Sequence, residues 1–367
     1  MFNNRLLNHI AKYQLIILVG IFVALAGLLT YSLVFGLVYQ PAMEKIGNNL
    51  TDNIPLPGTK FINGEKTVIN EENLWPVAVA IDNHPDARPL YGLSKADVVY
   101  EFLVEGGATR FLALYTPGQA EENSAEKIGP VRSVRPYFLL IVKEYNALLA
   151  HAGGSAEALN QIEKLAINNL EEIAWWGPEY FWRVYSRSAP HNLFTSSKNL
   201  RKATEEWKLK ELTPSYRTWR FGEELNNNYR LNRAEKITID FSSNTSYRAE
   251  FIYSTSTRSY ERWQEGKADY DALNEQAIRA DNVIIQFVPA EKILDEVGRL
   301  ALETTGEGES WLMRDGVKIE GHWRKGSAEG RTIFYDQAGE ELPLKPGRIW
   351  IEIVPKGKGV EIEETID

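Results

Sequence analysis

Residues 97–115 read DVVYEFLVEGGATRFLALY, and the core of the predicted fold is built around this stretch. Strand-forming apolar residues alternate with other residues along 97–105. Gly106 and Gly107 then supply a tight turn into a second apolar stretch at 110–115. The pattern predicts a β-hairpin that contributes two strands to a sheet.

Further strands and helices are predicted on both sides of this hairpin. Strands are expected at 75–81, 147–152, 237–241, 248–253, 282–288, 310–313, 331–335 and 348–354, and helices at 137–145, 156–165 and 195–207. Strand patterns dominate after residue 237. The sequence therefore predicts an α+β ectodomain in two mixed parts, an N-terminal α+β domain at 74–240 and a β-rich C-terminal domain at 241–367.

An uncharged run of 25 residues lies at 15–39. As a helix rising about 1.5 Å per residue, it could cross the roughly 30 Å hydrocarbon core of a membrane. Arg5 and Lys12 precede it, which predicts that the N-terminus is cytoplasmic and that the bulk of the chain is extracytoplasmic. The expected organisation is a cytoplasmic tail at 1–14, a single-pass transmembrane helix at 15–39 and a linker at 40–73.

A cleaved signal peptide is the alternative interpretation of the same run. Its cleavage site would be Ala24-Leu25-Ala26. The apolar run continues well beyond Ala26, which favours an uncleaved anchor. Both interpretations place the remaining residues outside the cytoplasm.

Composition excludes several classes of function. The formal net charge is −9 and the pI is about 5.3, which argues against a nucleic-acid partner because binding a polyanion needs a concentrated positive field. The chain has no cysteine, so disulfides, thiolate metal sites, cysteine nucleophiles and a lipid-modified cysteine are all excluded.

Three carboxylates share one face of the first hairpin strand: Asp97, Glu101 and Glu105. Paired carboxylates suggest glycoside hydrolysis. However, residues four apart in a strand lie roughly 13 Å apart, beyond the roughly 5–9.5 Å that this chemistry uses. A salt-bridged or solvated strand face is the simpler interpretation.

Four arginines follow turns or element ends: Arg88, Arg110, Arg132 and Arg135. Guanidinium groups at such positions could hold a carboxylate or a phosphate bidentately. The alternative is a structural network with the nearby acidic residues.

Residues 151–155 read HAGGS and resemble a strand-to-helix turn whose backbone N–H groups could cradle an anion. Ser155 could act as a nucleophile with His151 or His191 as its base, although a serine that caps the following helix is the commoner arrangement. The five histidines show no metal-binding spacing. His151, His191 and Asp82 could meet in space as metal ligands, but neither a metal nor a cofactor is expected.

Several ordered segments resemble one known family. They are PVAVAIDN at 76–83, ARPLYGL at 87–93, ADVVYEFLVEGGATRF at 96–111, IGPVRSVRPY at 128–137, HAGGSAEA at 151–158, PHNL at 190–193, GHWRK at 321–325 and PGRIWIEIVP at 346–355. These segments look like the YerB-like family of bacterial envelope lipoproteins, a family of unknown function (domain of unknown function 3048). The resemblance implies an exported, membrane-held protein with a two-part α+β fold, and it implies no catalytic residues. Lipoprotein members carry a lipid-modified cysteine, which this chain lacks.

The sequence favours a membrane-anchored binding or accessory module of the cell envelope that recognises an anionic or wall-derived ligand. One alternative is an envelope hydrolase that uses Glu101 or Glu105 as acid/base, or Ser155 with a histidine. Another is a protein-interaction partner without a small ligand, and a non-enzymatic role is preferred. Peptidoglycan, another envelope ligand or a membrane protein are the partners considered. The candidate ligand-binding residues are Asp82, Asn83, Arg88, Glu101, Glu105, Arg110, Arg132, Arg135, His151, Gly153, Gly154, Ser155, His191 and Asn192.

Overall fold

The fold is that of a computed structural model, which describes residues 57–119, 124–174, 176–209, 216–225, 229, 232–292 and 298–364. All of them belong to one compact unit, Pro55–Asp367. The side chains of residues 291 and 292 lie outside the description.

Strands are the predominant regular element of the described residues, which also contain three short α-helices. The strands are β1 (Val77–Asp82), β2 (Val98–Leu103), β3 (Thr109–Tyr115), β4 (Leu148–His151), β5 (Asn169–Glu171), β6 (Trp182–Arg183), β7 (Leu193–Phe194), β8 (Lys236–Asp240), β9 (Ala249–Ser254), β10 (Ser259–Gln264), β11 (Lys267–Ala268), β12 (Tyr270–Asp271), β13 (Gln276–Ala277), β14 (Arg279–Ala280), β15 (Asn282–Val288), β16 (Ala290–Lys292), β17 (Leu300–Leu302), β18 (Gly306–Arg314), β19 (Val317–Lys325), β20 (Ile333–Asp336), β21 (Ile349–Pro355) and β22 (Gly359–Glu363). The α-helices are α1 (Pro136–Glu144), α2 (Ala156–Lys164) and α3 (Ser197–Glu206).

The expected α+β class is wrong, because the described part of the chain is mostly β-sheet. Its α-helices have only nine, nine and ten residues. None of the helices within the described ranges is long and apolar enough to cross a membrane. The transmembrane helix expected at 15–39 lies outside the described residues. The correction has a physical reason: strands from both halves of the chain satisfy each other's backbone hydrogen bonds, and the helices only cover part of the resulting sheet.

The central sheet has ten strands in the order β20-β19-β18-β15-β21-β2-β3-β1-β4-β5. The expected hairpin is the antiparallel pair of β2 and β3. On its other edge β2 pairs in parallel with β21, which lies near the C-terminal end of the chain. A single sheet therefore contains strands from both halves of the chain.

Both faces of the central sheet are covered by apolar side chains. On one face, Val79 and Ile81 of β1 belong to the same core as Phe251 of the second sheet. On the other face, Ala80 packs in a core with Phe138 of α1. Because β2 is covered on both sides, every one of its residues is buried, including the charged Glu101.

A second sheet of six strands packs against the central one. Its order is β11-β10-β9-β8-β22, and β14 pairs with β10. The central sheet contains strands from both sides of the expected boundary at residue 240, so that boundary does not separate the two sheets.

Short sequence signals determine where the helices begin. Pro136 occupies the first turn of α1. The Ser155 hydroxyl accepts a hydrogen bond from Ala158 N and caps α2. The hydroxyl of Ser196 caps α3 in the same way, one residue after the expected cap at Thr195.

Candidate functional site

The segment 128–135 lies across the end of β1 and brings several loops together. Arg132 N donates to Ala80 O at 2.8 Å, and Val134 N donates to Gly153 O at 3.1 Å. Bridges at Ile128–Thr195 and Ile81–Val131 complete the connection. Backbone contacts therefore bring together the end of β1, the start of β3, segment 128–135, the turn at 151–155 and the segment near 191.

Asp82, the last residue of β1, is the acidic centre of this region. One carboxylate oxygen accepts hydrogen bonds from Arg132 Nε at 3.1 Å and from His191 Nδ1 at 2.8 Å. The other accepts the backbone N–H of His84 at 3.1 Å. Burial opposes the charge, but Arg132, the His84 backbone and His191 outweigh it and hold the pKa of Asp82 below its usual range.

Arg135 and Glu105 form a bidentate ion pair beside this centre. Arg135 Nε and Nη2 donate to the two carboxylate oxygens of Glu105 at 2.5 and 2.9 Å. Burial would raise the pKa of Glu105, and the hydrogen bonds and charge of Arg135 lower it overall. The structural interpretation of this arginine is therefore supported by its contacts.

Arg110 is partnered less completely than its neighbours. It lies at the start of β3, opposite Asp82 in the strand register, and is only 7% exposed. Its Nη1 donates to Ser133 O at 2.7 Å, whereas its buried Nε has no hydrogen-bond partner among the described residues. Burial and the nearby charges of Arg135 and Arg132 lower the pKa of Arg110 to about 10, against the opposing effects of Asp82 and Glu105.

We refer to Arg110, Arg132 and Arg135 as the arginine cluster. Arg132 and Arg135 retain 27% and 16% exposure of their side chains. Three guanidinium groups face two carboxylates here, Asp82 and Glu105, so one positive charge is in excess.

The turn at 151–155 flanks the arginine cluster but has its own internal hydrogen bonds. His151 is fully buried, and its ring nitrogens contact Gly153 O at 2.8 Å and Asn169 Oδ1 at 2.5 Å. The Ser155 hydroxyl is occupied in capping α2. Gly153 has a φ of +67°, and a Cβ added there would meet open space, so the turn leaves room beside the cluster. A Cβ added at Gly154 would instead lie 3.1 Å from side-chain atoms of neighbouring residues.

The remaining expected site residues occupy neighbouring networks. Asn192 accepts from Arg183 Nη1 at 2.9 Å and donates to the Arg187 carbonyl at 3.2 Å. The amide of Asn83 donates to Thr109 at 2.7 Å. Arg88 Nη2 donates to Asn83 O at 2.9 Å, so Arg88 supports the loop after β1.

Glu101 belongs to a second buried network, between the two sheets. It is fully buried and accepts from Arg262 Nη2 of β10 at 2.8 Å. Thr109 donates to its other oxygen at 2.5 Å. The three carboxylates of the first hairpin strand are thus each salt-bridged: Asp97 pairs with Lys60 at 2.7 Å, Glu101 with Arg262 and Glu105 with Arg135.

Sequence reasoning missed the partners of Glu101. Arg262 also pairs with Asp269 and stacks 5.1 Å from the Trp350 ring. Glu352 of β21 lies directly beside Glu101, and burial together with the Glu101 charge raises its pKa well above the usual range. A charged residue within the apolar run IWIEIV was the signal that could have identified Glu352.

Two of the histidines lie together at the rim of the arginine cluster. The His84 and His191 rings stack with centroids 4.8 Å apart. Candidate ligand atoms of His84, Asp86 and His191 all lie within 4.8 Å of one another. The metal ligand set that the sequence left open was His151, His191 and Asp82. Of the first and last of these, only Asp82 contacts His191 in the described hydrogen bonds.

These features define a class: a two-sheet β protein whose polar side chains gather where the loops after β1 and before α1 and α2 meet. Residues 63–210 match the N-terminal domain and residues 237–351 the C-terminal domain of the protein of unknown function DUF3048. The chain is 32% identical over 311 residues to the Bacillus subtilis (strain 168) protein named "Putative lipoprotein YerB", covering 82% of this chain and 89% of that one. The chain belongs to this YerB-like DUF3048 family, as its sequence resemblance indicated.

A solved structure is similar as well. The crystal structure of the YerB protein from Bacillus subtilis superposes with a TM-score of 0.71 at 30% sequence identity. The match covers 84% of this chain and all of that one. The two-sheet architecture is therefore shared with a relative whose structure was determined by experiment.

Proposed function

We propose that this protein is a binding module of the bacterial cell envelope and that the arginine cluster recognises an anionic group of a wall polymer. The observation that carries the proposal is the incomplete hydrogen bonding of the buried Arg110 guanidinium. Arg110 is 7% exposed, and its Nε has no acceptor in the part of the chain that the structure describes. Such a site is incomplete, because a buried donor without an acceptor costs roughly 1–3 kcal/mol.

A carboxylate or a phosphate would complete this site. Arg132 and Arg135 keep partial exposure beside Arg110, and their charges already lower the Arg110 pKa. An incoming anion would relieve this like-charge repulsion and accept hydrogen bonds from planar guanidinium groups. Gly153 adds open space next to the cluster into which a ligand could fit.

The contacts of the candidate catalytic residues Glu101, Glu105 and Ser155 favour binding over hydrolysis. Glu101 is buried against Arg262, and Glu105 is held by both donors of Arg135. The Ser155 hydroxyl accepts from Ala158 N as a helix cap. A general acid or base must reach its substrate, which these arrangements restrict.

The proposed location is the extracytoplasmic face of the envelope, attached to the membrane. The name of the Bacillus subtilis relative includes the word lipoprotein, which supports attachment. This chain has no cysteine to carry a lipid, whereas residues 15–39 offer an uncharged apolar run. Protease digestion of spheroplasts tests the location: residues after 57 should be degraded in intact spheroplasts, and their protection would contradict it.

Co-sedimentation with purified peptidoglycan sacculi tests the proposed function. The full chain, kept in mild detergent, is expected to pellet with sacculi, and the Arg132→Ala/Arg135→Ala variant is expected to stay in solution. Arg279→Ala/Arg324→Ala is the matched control, since it also removes two solvent-accessible arginines that are each paired with a carboxylate. Circular dichroism establishes that each variant is folded.

The anionic group can be identified with the same assay. Sacculi stripped of phosphate polymers by acid retain the carboxylates of the wall peptides. Retained pelleting on stripped sacculi indicates a carboxylate ligand, and lost pelleting indicates a phosphate. If the folded wild type does not pellet with either preparation, wall binding is contradicted and the protein-partner alternative gains support.

A further inference from the structure

We propose that His84, Asp86 and His191 form a binding site for a divalent transition-metal ion such as Zn²⁺. Two imidazoles and one carboxylate are a ligand set that zinc-binding and related metal sites use with one or more positions left open. This site lies beside the arginine cluster but uses none of its residues, so it goes beyond the proposed recognition of an anion.

The geometry of the three side chains supports this ligand set. Their candidate donor atoms lie within 4.8 Å of one another, and His84 Nδ1 is 3.6 Å from an Asp86 carboxylate oxygen. A tetrahedral ion with ligand bonds near 2.0–2.1 Å needs donor separations of about 3.3 Å. The His84 and Asp86 side chains are 47% and 75% exposed, so small rotations can close the difference.

Hydrogen bonds of the backbone N–H groups hold the turn that carries His84 and Asp86. His84 N donates to Asp82 Oδ1 at 3.1 Å, and Asp86 N donates to His84 Nδ1 at 3.2 Å. The second contact shows that His84 Nδ1 carries a lone pair, and an ion bound at this nitrogen would replace the Asp86 N–H as its partner. His84 and Asp86 are therefore presented by one short turn at the end of β1.

Asp82 orients the third ligand in the manner typical of metal sites. Its carboxylate is 4% exposed and lies 2.8 Å from His191 Nδ1. An ionised carboxylate accepts, so His191 Nδ1 donates and its Nε2 is left with the lone pair. Ligand histidines generally donate their second ring N–H to a carboxylate in this way, which fixes the tautomer and raises the basicity of the ligating nitrogen.

Zinc binding by the full chain, in mild detergent and without a histidine tag, tests the proposal. Equilibrium dialysis is expected to show one Zn²⁺ per chain, and Co²⁺ is expected to give visible d–d absorption. His84→Ala and Asp86→Asn, both on exposed side chains, should each lower the affinity at least tenfold. Asp82→Asn should lower it about 10- to 100-fold, as other losses of a histidine-orienting carboxylate do.

His322→Ala is the matched control, because His322 also stacks on an aromatic ring, that of Tyr335 at 5.2 Å. It should bind as wild type does. Arg132→Ala/Arg135→Ala should also retain zinc, so failure of wall binding and failure of metal binding remain distinguishable. The proposal is overturned if the wild type binds no Zn²⁺ or if His84→Ala and Asp86→Asn both bind with wild-type affinity. Equal affinity for Mg²⁺ or Ca²⁺ would overturn the assignment to a transition metal.

Discussion

At the scale of single residues, two buried arginines have different kinds of partners. Arg262 has carboxylate partners at Glu101 and Asp269, and these raise its pKa despite full burial. Arg110 has a carbonyl partner and a lowered pKa instead. The first pattern is that of a structural network, and the second supports the proposal that Arg110 belongs to an anion site.

The Glu101 network predicts unequal effects of two similar substitutions. Burial and the Glu101 charge raise the pKa of Glu352 well above its usual range and so favour its neutral form, and Glu352→Gln should therefore change the free energy of unfolding by less than about 1 kcal/mol. Glu101→Gln should cost roughly 1–3 kcal/mol, less than the usual 3–5 for a broken buried pair, because Asp269 still pairs with Arg262. Urea unfolding measures the free energy of unfolding of both variants. Equal losses would contradict the view that Glu101, and not Glu352, is the charged partner of Arg262.

Ser155 gives a prediction that separates a helix cap from a nucleophile. Ser155→Ala should cost about 1 kcal/mol of stability and leave sacculus pelleting unchanged. Ser196→Ala, at the cap of α3, is the matched control and should cost a similar amount. Loss of hydrolytic turnover of wall fragments in Ser155→Ala, without loss of stability, would instead favour the hydrolase alternative.

At the scale of elements, the segment 128–135 depends on one glycine. Gly129 has a φ of +137°, and a Cβ there would lie 2.8 Å from Val131 N and 2.9 Å from Leu193 O. Since this backbone carries Arg132 and Arg135, its displacement should disturb the arginine cluster as well as the fold.

Gly129→Ala should therefore lower the free energy of unfolding by roughly 2–4 kcal/mol and weaken pelleting with sacculi. Gly153→Ala is the control, because it also has a positive φ but its Cβ meets open space, so only about 1–2 kcal/mol of backbone strain is expected. Denaturant titration measures the free energy of unfolding of both variants. If Gly153→Ala and Gly129→Ala lose the same free energy of unfolding, contacts of the added Cβ with Val131 and Leu193 do not explain the effect at Gly129.

Local patterns predicted several individual elements, since their signals lie within a few residues, but they did not predict the fold class. The alternation at 97–105, the turn at Gly106 and the serine before α2 correspond to β2, the hairpin turn and a helix cap in the structure. The pairing of β2 with β21 could not be predicted, because about 250 residues separate these strands and no local pattern specifies such a register. The partners of Glu101 were missed for the same reason.

At the scale of the whole molecule, the central sheet joins the two family domains. The parallel pairs of β2 with β21 and of β15 with β21 connect the N-terminal and C-terminal parts through continuous backbone hydrogen bonds. The two-part organisation expected at 74–240 and 241–367 remains a prediction about sequence domains, and it does not imply separate cores.

The shared sheet predicts one cooperative unfolding transition for residues 57–367. Tryptophan fluorescence and far-UV circular dichroism should give coincident denaturant curves, because neither part can lose its strands without exposing the other's edge. Two separated transitions would contradict this prediction and indicate that each part folds by itself.

The most direct test of the central claim joins stability and binding in one variant, Arg110→Met. Because the folded environment lowers the Arg110 pKa to about 10, it disfavours the charged guanidinium, so removing that charge should not destabilise the fold. The melting temperature of Arg110→Met should equal or exceed that of the wild type, while pelleting with sacculi is lost. A melting temperature several degrees lower together with wild-type pelleting would show that Arg110 serves the fold, and would contradict the proposed anion site.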